Sequence, residues 1–231
     1  MLRTKKEKAL VLVSGGMDSA LTAAIASEKY ELLFLHADYG QRTQSRELRA
    51  FNDLANHFKA NKVLKVNLSH FKNIGASSIT DKHIEVEKAN LKSKKIPSSY
   101  VPFRNANLLA AAVSWAEAVG ARRIYIGAVE EDSSGYPDCR RVFFDSFEEM
   151  ISKGTKPGNN IRIITPLIRM SKKQIVLKSI KLNVPIELTW SCYKSSKKAC
   201  GECDSCALRL RGFQQAGVED KIPYKISPQY R

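Results

Sequence analysis

Short apolar runs alternate with longer segments of helical period along most of the chain. Lys8–Val13 is apolar and reads as a buried strand, and the alanine-rich stretch Ala20–Ser27 reads as the helix after it. Glu31–Ala37 predicts a second buried strand. Between Thr43 and Lys59, Leu48, Phe51, Leu54, Ala55 and Phe58 recur at helical spacing, with Thr43 or Ser45 as the cap. Lys62–Asn67 then predicts a third strand, Ala106–Val119 a largely buried helix, Arg123–Gly127 a fourth strand and Arg141–Ile151 a helix. Arg162–Thr165 is the fifth strand, and Ser171 caps a helix over Lys172–Leu182. Strands and helices alternating at these lengths predict an α/β fold, a doubly wound parallel sheet with helices on both faces. The rhythm breaks over 68–100, which is polar and weakly periodic, and an insertion or lid is expected there. The α/β domain is therefore expected to span 1–185, with a separate C-terminal region over 186–231.

Between the first strand and its helix stands Ser14-Gly15-Gly16-Met17-Asp18-Ser19. Glycines let the backbone approach an anion closely, and the free amides and dipole of the helix start hold the charge. Val13, Ser14, Gly15, Gly16, Met17, Asp18, Ser19, Ala20 and Leu21 are thus the expected phosphate-binding segment; an Asp/Ser helix cap after a tight turn is the alternative. The Walker A lysine pattern is absent, so this is a different phosphate loop. Two basic residues at predicted helix starts, Arg104 and Lys172, oppose the helix dipole unless an anion is near. Arg104 is a candidate phosphate clamp, its planar fork suited to bidentate contact, or else a surface arginine after a turn. Asp132, Asp138 and Arg140 follow the fourth strand in a turn shaped by Gly135 and Pro137. A carboxylate there can read a guanine-type base and Arg140 can hold a carboxylate; an Asx-turn capping the next helix accounts equally for the pattern. Asp38-Tyr39-Gly40-Gln41-Arg42 ends the second strand, where open α/β sheets place ligands.

Charge changes the picture toward the C-terminus. Of the formal +15, residues 1–150 carry 22 Lys/Arg against 18 Asp/Glu, and 151–231 carry 16 against 5. The basic excess fits nucleotide phosphates, a nucleic acid or a lysine-rich soluble surface. No apolar run reaches a membrane-spanning length and no signal-type segment opens the chain, so a soluble, cytoplasmic protein without a membrane partner is expected.

Five cysteines include four, Cys192, Cys200, Cys203 and Cys206, at spacing C-x7-C-x2-C-x2-C. Four thiolates from a loop and tight turns make the closed tetrahedron of structural zinc; an iron–sulfur cluster takes the same ligands. Lys194, Lys197, Lys198, Arg209 and Arg211 are placed to offset the charge of such a centre. Cys139 stands apart, either a small buried hydrophobe or a reactive thiol. Because the phosphate loop lies at the other end of the sequence, loss of the metal is expected to leave nucleotide affinity nearly normal.

The hexapeptide resembles the SGGxDS signature of pyrophosphatase-loop ATP enzymes. The chain as a whole is similar to the 7-cyano-7-deazaguanine synthase family through SGGMDS at 14–19, DYGQR at 38–42, YVPFRN at 100–105 and GYPDCR at 135–140. The likeness continues in TPL ahead of Lys172, and in SCY, CGECDSC and LRLRGF over 191–213. Departures are a short spacing between the first two cysteines of the cluster and Ala20 where the family often has Thr. The resemblance implies an adenine nucleotide alpha-hydrolase-like fold, ATP, Mg2+ and Zn2+, and the substrates 7-carboxy-7-deazaguanine and ammonia. It implies catalytic roles for Asp18, Arg104 and Lys172, with Asp18 a magnesium ligand and Asp138 reading the deazaguanine. A homodimer is implied as well, and nucleic acid is not an expected partner. The alternative is a related ATP enzyme that modifies tRNA directly.

Overall fold

The computed structural model describes residues 6–93, 95–130 and 135–230. Among these, five strands form one sheet: β1 (Lys8–Leu12), β2 (Glu31–Asp38), β3 (Lys62–Asn67), β4 (Arg123–Ile126) and β5 (Arg162–Ile164). The order is β3-β2-β1-β4-β5 and every pairing is parallel. Strand growth runs outward from β1 in one direction and then restarts at β4 on its other side. The C-terminal ends of β1 and β4 therefore flank the crevice where such sheets bind ligands.

Seven helices cover the sheet: α1 (Met17–Ser27), α2 (Gln44–His57), α3 (His70–Ile74), α4 (Arg104–Val119), α5 (Arg141–Gly154), α6 (Lys172–Lys181) and α7 (Asp204–Ala216). The two-residue period of each strand sorts its side chains between the layers. Ala9, Val11, Phe34 and Tyr125 face α1, α2 and α6, while Leu10, Leu12, Leu33, Leu35, Ile124 and Ile126 face α4 and α5. Each fully buried Leu, Ile or Phe contributes about 1.5–3 kcal/mol of transfer free energy. Two such layers, built on both faces of the central strands, hold the sheet. β3 lies at the edge, and its lysines and exposed positions suit an edge strand.

The predicted strands and the doubly wound arrangement are those observed. Boundaries differ at functional points. α1 begins at Met17 rather than Ala20, and α4 at Arg104 rather than Ala106, so the phosphate loop and Arg104 lie in first helical turns. α3 and α7 have no counterpart in the sequence reading. The segment 68–100 is braced rather than free: Arg42 donates to the carbonyls of Ser78, Asp81 and Ile84, and Val86 packs with Trp190 and the cysteine cluster. α7 packs along α6, where Gly212 lies against the Lys172 backbone so closely that a Cβ would sit 3.0 Å from the Lys172 carbonyl oxygen. No helix of the described residues is long and apolar enough to cross a membrane.

Gly127, just past β4, lets α1 approach the sheet. A Cβ there would meet the Asp18 carbonyl carbon and oxygen at 2.9 Å and Thr22 Oγ1 at 3.0 Å. Gly127→Ala should therefore cost about 1–3 kcal/mol by overpacking. It should also reduce turnover, because the atoms it displaces carry Asp18. A thermal melt and a rate measurement check this; an alanine variant with normal stability and rate would show that α1 moves freely.

Candidate active site

A cleft of about 270 Å³ opens at the C-terminal ends of β1, β2 and β4. Its floor is the phosphate loop. Gly15 takes φ +93°, and a Cβ there would lie 2.8 Å from the Glu47 carbonyl oxygen, so glycine is required by both conformation and space. The Ser14 hydroxyl accepts from the Gly16 amide at 3.2 Å, and the Ser19 hydroxyl donates to the Gly16 carbonyl at 2.9 Å. No side chain caps the N-terminus of α1. The amides of Met17, Asp18 and Ser19 have no earlier helical carbonyl to bond, which is the state that receives an oxyanion. Within the expected segment, Val13, Ser14, Gly16, Met17, Asp18 and Ser19 line the cleft. Ala20 and Leu21 are wholly buried in the core beneath it, and Gly15 supplies the turn.

Asp18 and Lys172 meet across the cleft although far apart in sequence. Lys172 Nζ donates to Asp18 Oδ2 at 2.5 Å, with side chains 11% and 28% exposed. Ser171 and Gln174 form a reciprocal capping box that fixes the start of α6 and so aims Lys172. The anion called for by a lysine in the first turn is therefore, in part, Asp18 itself.

Arg104 lies on the opposite wall. Its Nη1 donates to the Tyr39 hydroxyl at 3.1 Å and the guanidinium stacks over the Tyr39 ring at 5.2 Å. Its Nε is buried with no acceptor among the described residues. Tyr136 and Tyr193 complete this wall. Burial pushes the Tyr39 phenol up to about 12 and Tyr193 well above its usual range, so both stay neutral donors. Burial also raises the Glu47 carboxyl, although Thr43 and Gln41 donate to it. His36, at the end of β2, points Nδ1 at the Val13 carbonyl at 3.0 Å, and burial lowers its pKa.

Asp138 and Arg140 stand beside the cleft and do not line it. Asp138 is buried and its Oδ2 accepts from the Asn105 amide at 2.9 Å, which caps α4 and offsets the basic start of that helix. Arg140 is exposed and bonds the Pro137 carbonyl. Asp132 lies outside the described residues. Cys139 does line the cleft; burial pushes its thiol up to about 11, which leaves it an unreactive neutral group at ordinary pH. The sequence reading missed Glu47, Trp190, Ser191, Tyr193, Asp204 and Arg209 as cleft residues. Tyr39 follows directly on the end of β2, where open sheets place ligands, whereas Glu47 lies in the first turn of α2 and had no such signal. Trp190 and Ser191 had none, because only the fold returns them to the phosphate loop.

The four cysteines of the tail converge. All are buried, and their Sγ atoms lie within 4.8 Å of one another. Cys200 and Cys206 sulfurs are 3.8 Å apart, close to the about 3.8 Å edge of a tetrahedron with 2.3 Å metal–sulfur bonds. Backbone amides of Lys194 and Cys200 donate to Cys192 Sγ, and those of Glu202 and Cys203 to Cys200 Sγ. Such donors stabilise thiolates, so the donor set fits a soft or borderline cation. Of the basic residues expected to balance it, Lys194 pairs with Glu202, and Lys197 and Lys198 are exposed. Arg209 is committed elsewhere: it is buried and bound through two nitrogens to Asp220, at 2.6 and 2.9 Å.

The cluster is wired to the cleft. The Trp190 amide donates to the Gly15 carbonyl at 2.8 Å, the Thr43 hydroxyl to the Cys192 carbonyl at 3.1 Å, and Arg209 Nη1 to Thr189 and Ser191.

The model of the queuosine biosynthesis protein QueC family matches residues 8–217. A protein of Chlorobium phaeobacteroides named 7-cyano-7-deazaguanine synthase is 56% identical over 224 residues, covering 96% of this chain and 99% of that one. The protein of the same name from Chloroherpeton thalassium is 57% identical with the same coverage. Among solved structures, a predicted subunit of tRNA methyltransferase from Methanocaldococcus jannaschii aligns at TM-score 0.47 and 17% identity, over 93% of this chain and 90% of that one. A glycine turn leading into an uncapped helix start, a buried cluster of four thiols and near-full-length identity above one half agree: this chain belongs to the queuosine biosynthesis protein QueC family, whose curated members named here are 7-cyano-7-deazaguanine synthases.

Proposed function

We propose that this protein uses ATP to convert 7-carboxy-7-deazaguanine and ammonia into 7-cyano-7-deazaguanine, as a ligase forming a carbon–nitrogen bond. One observation carries the reading: a phosphate loop and an acceptor-poor arginine walled by tyrosines share a single cleft. A carboxylate is a poor electrophile, so its oxygen first attacks the α-phosphate of ATP and pyrophosphate leaves. Ammonia then attacks the carbonyl carbon of the acyl adenylate, AMP leaves, and the amide forms. The amide oxygen attacks a second ATP in the same way. Loss of AMP and of the remaining nitrogen protons gives the nitrile.

The first-turn amides of α1 and the Lys172 ammonium stabilise charge that grows on the phosphates. Asp18 aims Lys172 and is the residue that would hold Mg2+, an ion that supplies charge neutralisation on the phosphates. Cys192, Cys200, Cys203 and Cys206 would hold Zn2+ with no open position, which makes it a structural ion, and their thiols suit a reducing cytoplasm. Phe103, just before α4, is exposed and in ring contact with Phe143 of α5, a helix that also exposes Val142 and Met150; this apolar surface supports a homodimer.

With ATP, magnesium, ammonium and 7-carboxy-7-deazaguanine, the protein should release AMP and pyrophosphate and form the nitrile. Chromatography of the nucleotide products checks this. Release of ADP and phosphate would sink the adenylation route.

A further inference from the structure

Arg104 lacks the partner that a half-buried guanidinium ordinarily has. None of the ion pairs among the described residues includes it. Its hydrogen bond to the Tyr39 hydroxyl occupies one N–H of five, and Nε is buried without an acceptor. Leaving such a donor unmade is costly unless a ligand completes it. Lys172, by contrast, is already committed to Asp18 beside the phosphate loop. A third cation of the lining, Arg209, is bound through two nitrogens to Asp220, which leaves two with different surroundings: Lys172 beside the loop at the start of α1, and Arg104 among aromatic residues.

The surroundings decide which anion each takes. Phosphate oxygens are strongly hydrated and are matched by backbone amides at a helix start. Tyr39, Tyr136 and Tyr193 all line the cleft beside Arg104, and aromatic side chains with polar hydroxyls suit a planar heteroaromatic ring better than a strongly hydrated phosphate. Tyr39 holds the guanidinium through its hydroxyl and a cation–π contact, and the Tyr136 hydroxyl is itself bonded to Ser99 Oγ at 2.9 Å, so these parts of the wall are fixed within the fold. Asn105, the next residue, is locked through its amide and side chain to Asp138, which fixes the turn that presents Arg104.

We propose that Arg104 and the tyrosine wall of Tyr39, Tyr136 and Tyr193 form the subsite for a planar aromatic carboxylate, with Arg104 holding the carboxylate rather than a phosphate of ATP. This rests on the functional reading above and deepens it. It moves the carboxylate from Arg140, where the sequence suggested it, to Arg104. It also makes the site charge-selective: the neutral amide lacks the group that Arg104 grips.

Calorimetric titration of the full chain with 7-carboxy-7-deazaguanine, with its neutral 7-amide, and with a non-hydrolysable ATP analogue separates the possibilities. The wild-type protein should bind the carboxylate more tightly than the amide. Arg104→Gln should weaken the carboxylate about 10- to 100-fold, as expected for lost charge-assisted hydrogen bonds, and change the amide and the ATP analogue less than about threefold. Arg104→Lys, which keeps charge and length but not the fork, provides a second variant should the glutamine variant fail to fold. It should weaken the carboxylate alone. Equal loss for the carboxylate and the amide, or loss confined to the ATP analogue, would overturn the assignment. A wild-type protein that binds ATP but neither deazaguanine would instead defeat the functional reading itself, and the subsite with it.

Discussion

Cys203→Ala should cost the protein its bound metal, much of its stability and a large part of its affinity for ATP. Three thiolates remain after the substitution, and the shell that closes the cluster is broken. Metal binding to four-cysteine sites is worth about 10–16 kcal/mol in small zinc-binding peptides, so losing most of it exceeds the stability margin of many domains. The loss of nucleotide affinity is the finding that the fold adds. From the sequence, the loop at one end and the cysteines at the other look independent. In the structure, Trp190, two residues before the first cysteine, braces the loop through its amide on the Gly15 carbonyl, and Cys192 itself is tied to the start of α2 by the Thr43 hydroxyl on its carbonyl. A Cβ on Gly16 would come within 3.7 Å of the Trp190 carbonyl oxygen, so the two segments are in contact. Metal content, a thermal melt and nucleotide titration on one preparation test this. A metal-free, destabilised variant with wild-type ATP affinity would show that the contacts do not transmit. A variant as stable as wild type that has lost only turnover would place the metal in the chemistry.

Asp18→Asn should lower turnover by about 10²–10³-fold, the scale seen when one preorganised electrostatic contact to a transition state is removed. The substitution keeps volume and removes charge. It leaves Lys172 without its carboxylate in a site where the lysine is 11% exposed, so a stability loss of about 1–3 kcal/mol should accompany it. The ion pair with Lys172 is what adds a stability loss to a substitution that otherwise keeps volume. Far-ultraviolet circular dichroism and a melt establish that the fold survives, and a rate assay reads the chemistry. A wild-type rate would reduce Asp18 to a first-turn helix residue.

Both predictions turn on contacts between distant segments, and that is where legibility divides. Strand and helix identity was written locally. The alternation of Leu10 and Leu12 with Ala9 and Val11 serves two helix layers, and the period from Leu48 to Phe58 makes one face of α2. The phosphate loop was equally local, since Gly15 and Gly16 and the helix start lie within one turn of chain. Cysteine spacing gave the cluster, because ligands two residues apart can reach one ion only on a tight turn.

Other features had no local signal. α7 went unseen because it starts inside the cysteine motif, with Cys206 in its first turn, and its buried face mixes Ala207, Leu210 and Phe213 with Arg209 and Gly212, which blurs the apolar period. Asp138 looked like a substrate reader and is instead the cap of α4, since a buried carboxylate next to unpaired helix amides is satisfied most cheaply by them. Arg209 looked like a counter-charge for the metal and is held by Asp220, a residue whose proximity depends on how the tail turns back. The chain by itself determined which segments are strands, where a glycine turn opens onto a helix start and which thiols come together, because each depends on neighbours within a turn or two. Only the tertiary structure decided that Lys172 meets Asp18, that Arg104 lies among three tyrosines, and that the cysteine region holds the phosphate loop. These are side-chain distances set by the packing of separate elements, and no local periodicity encodes them.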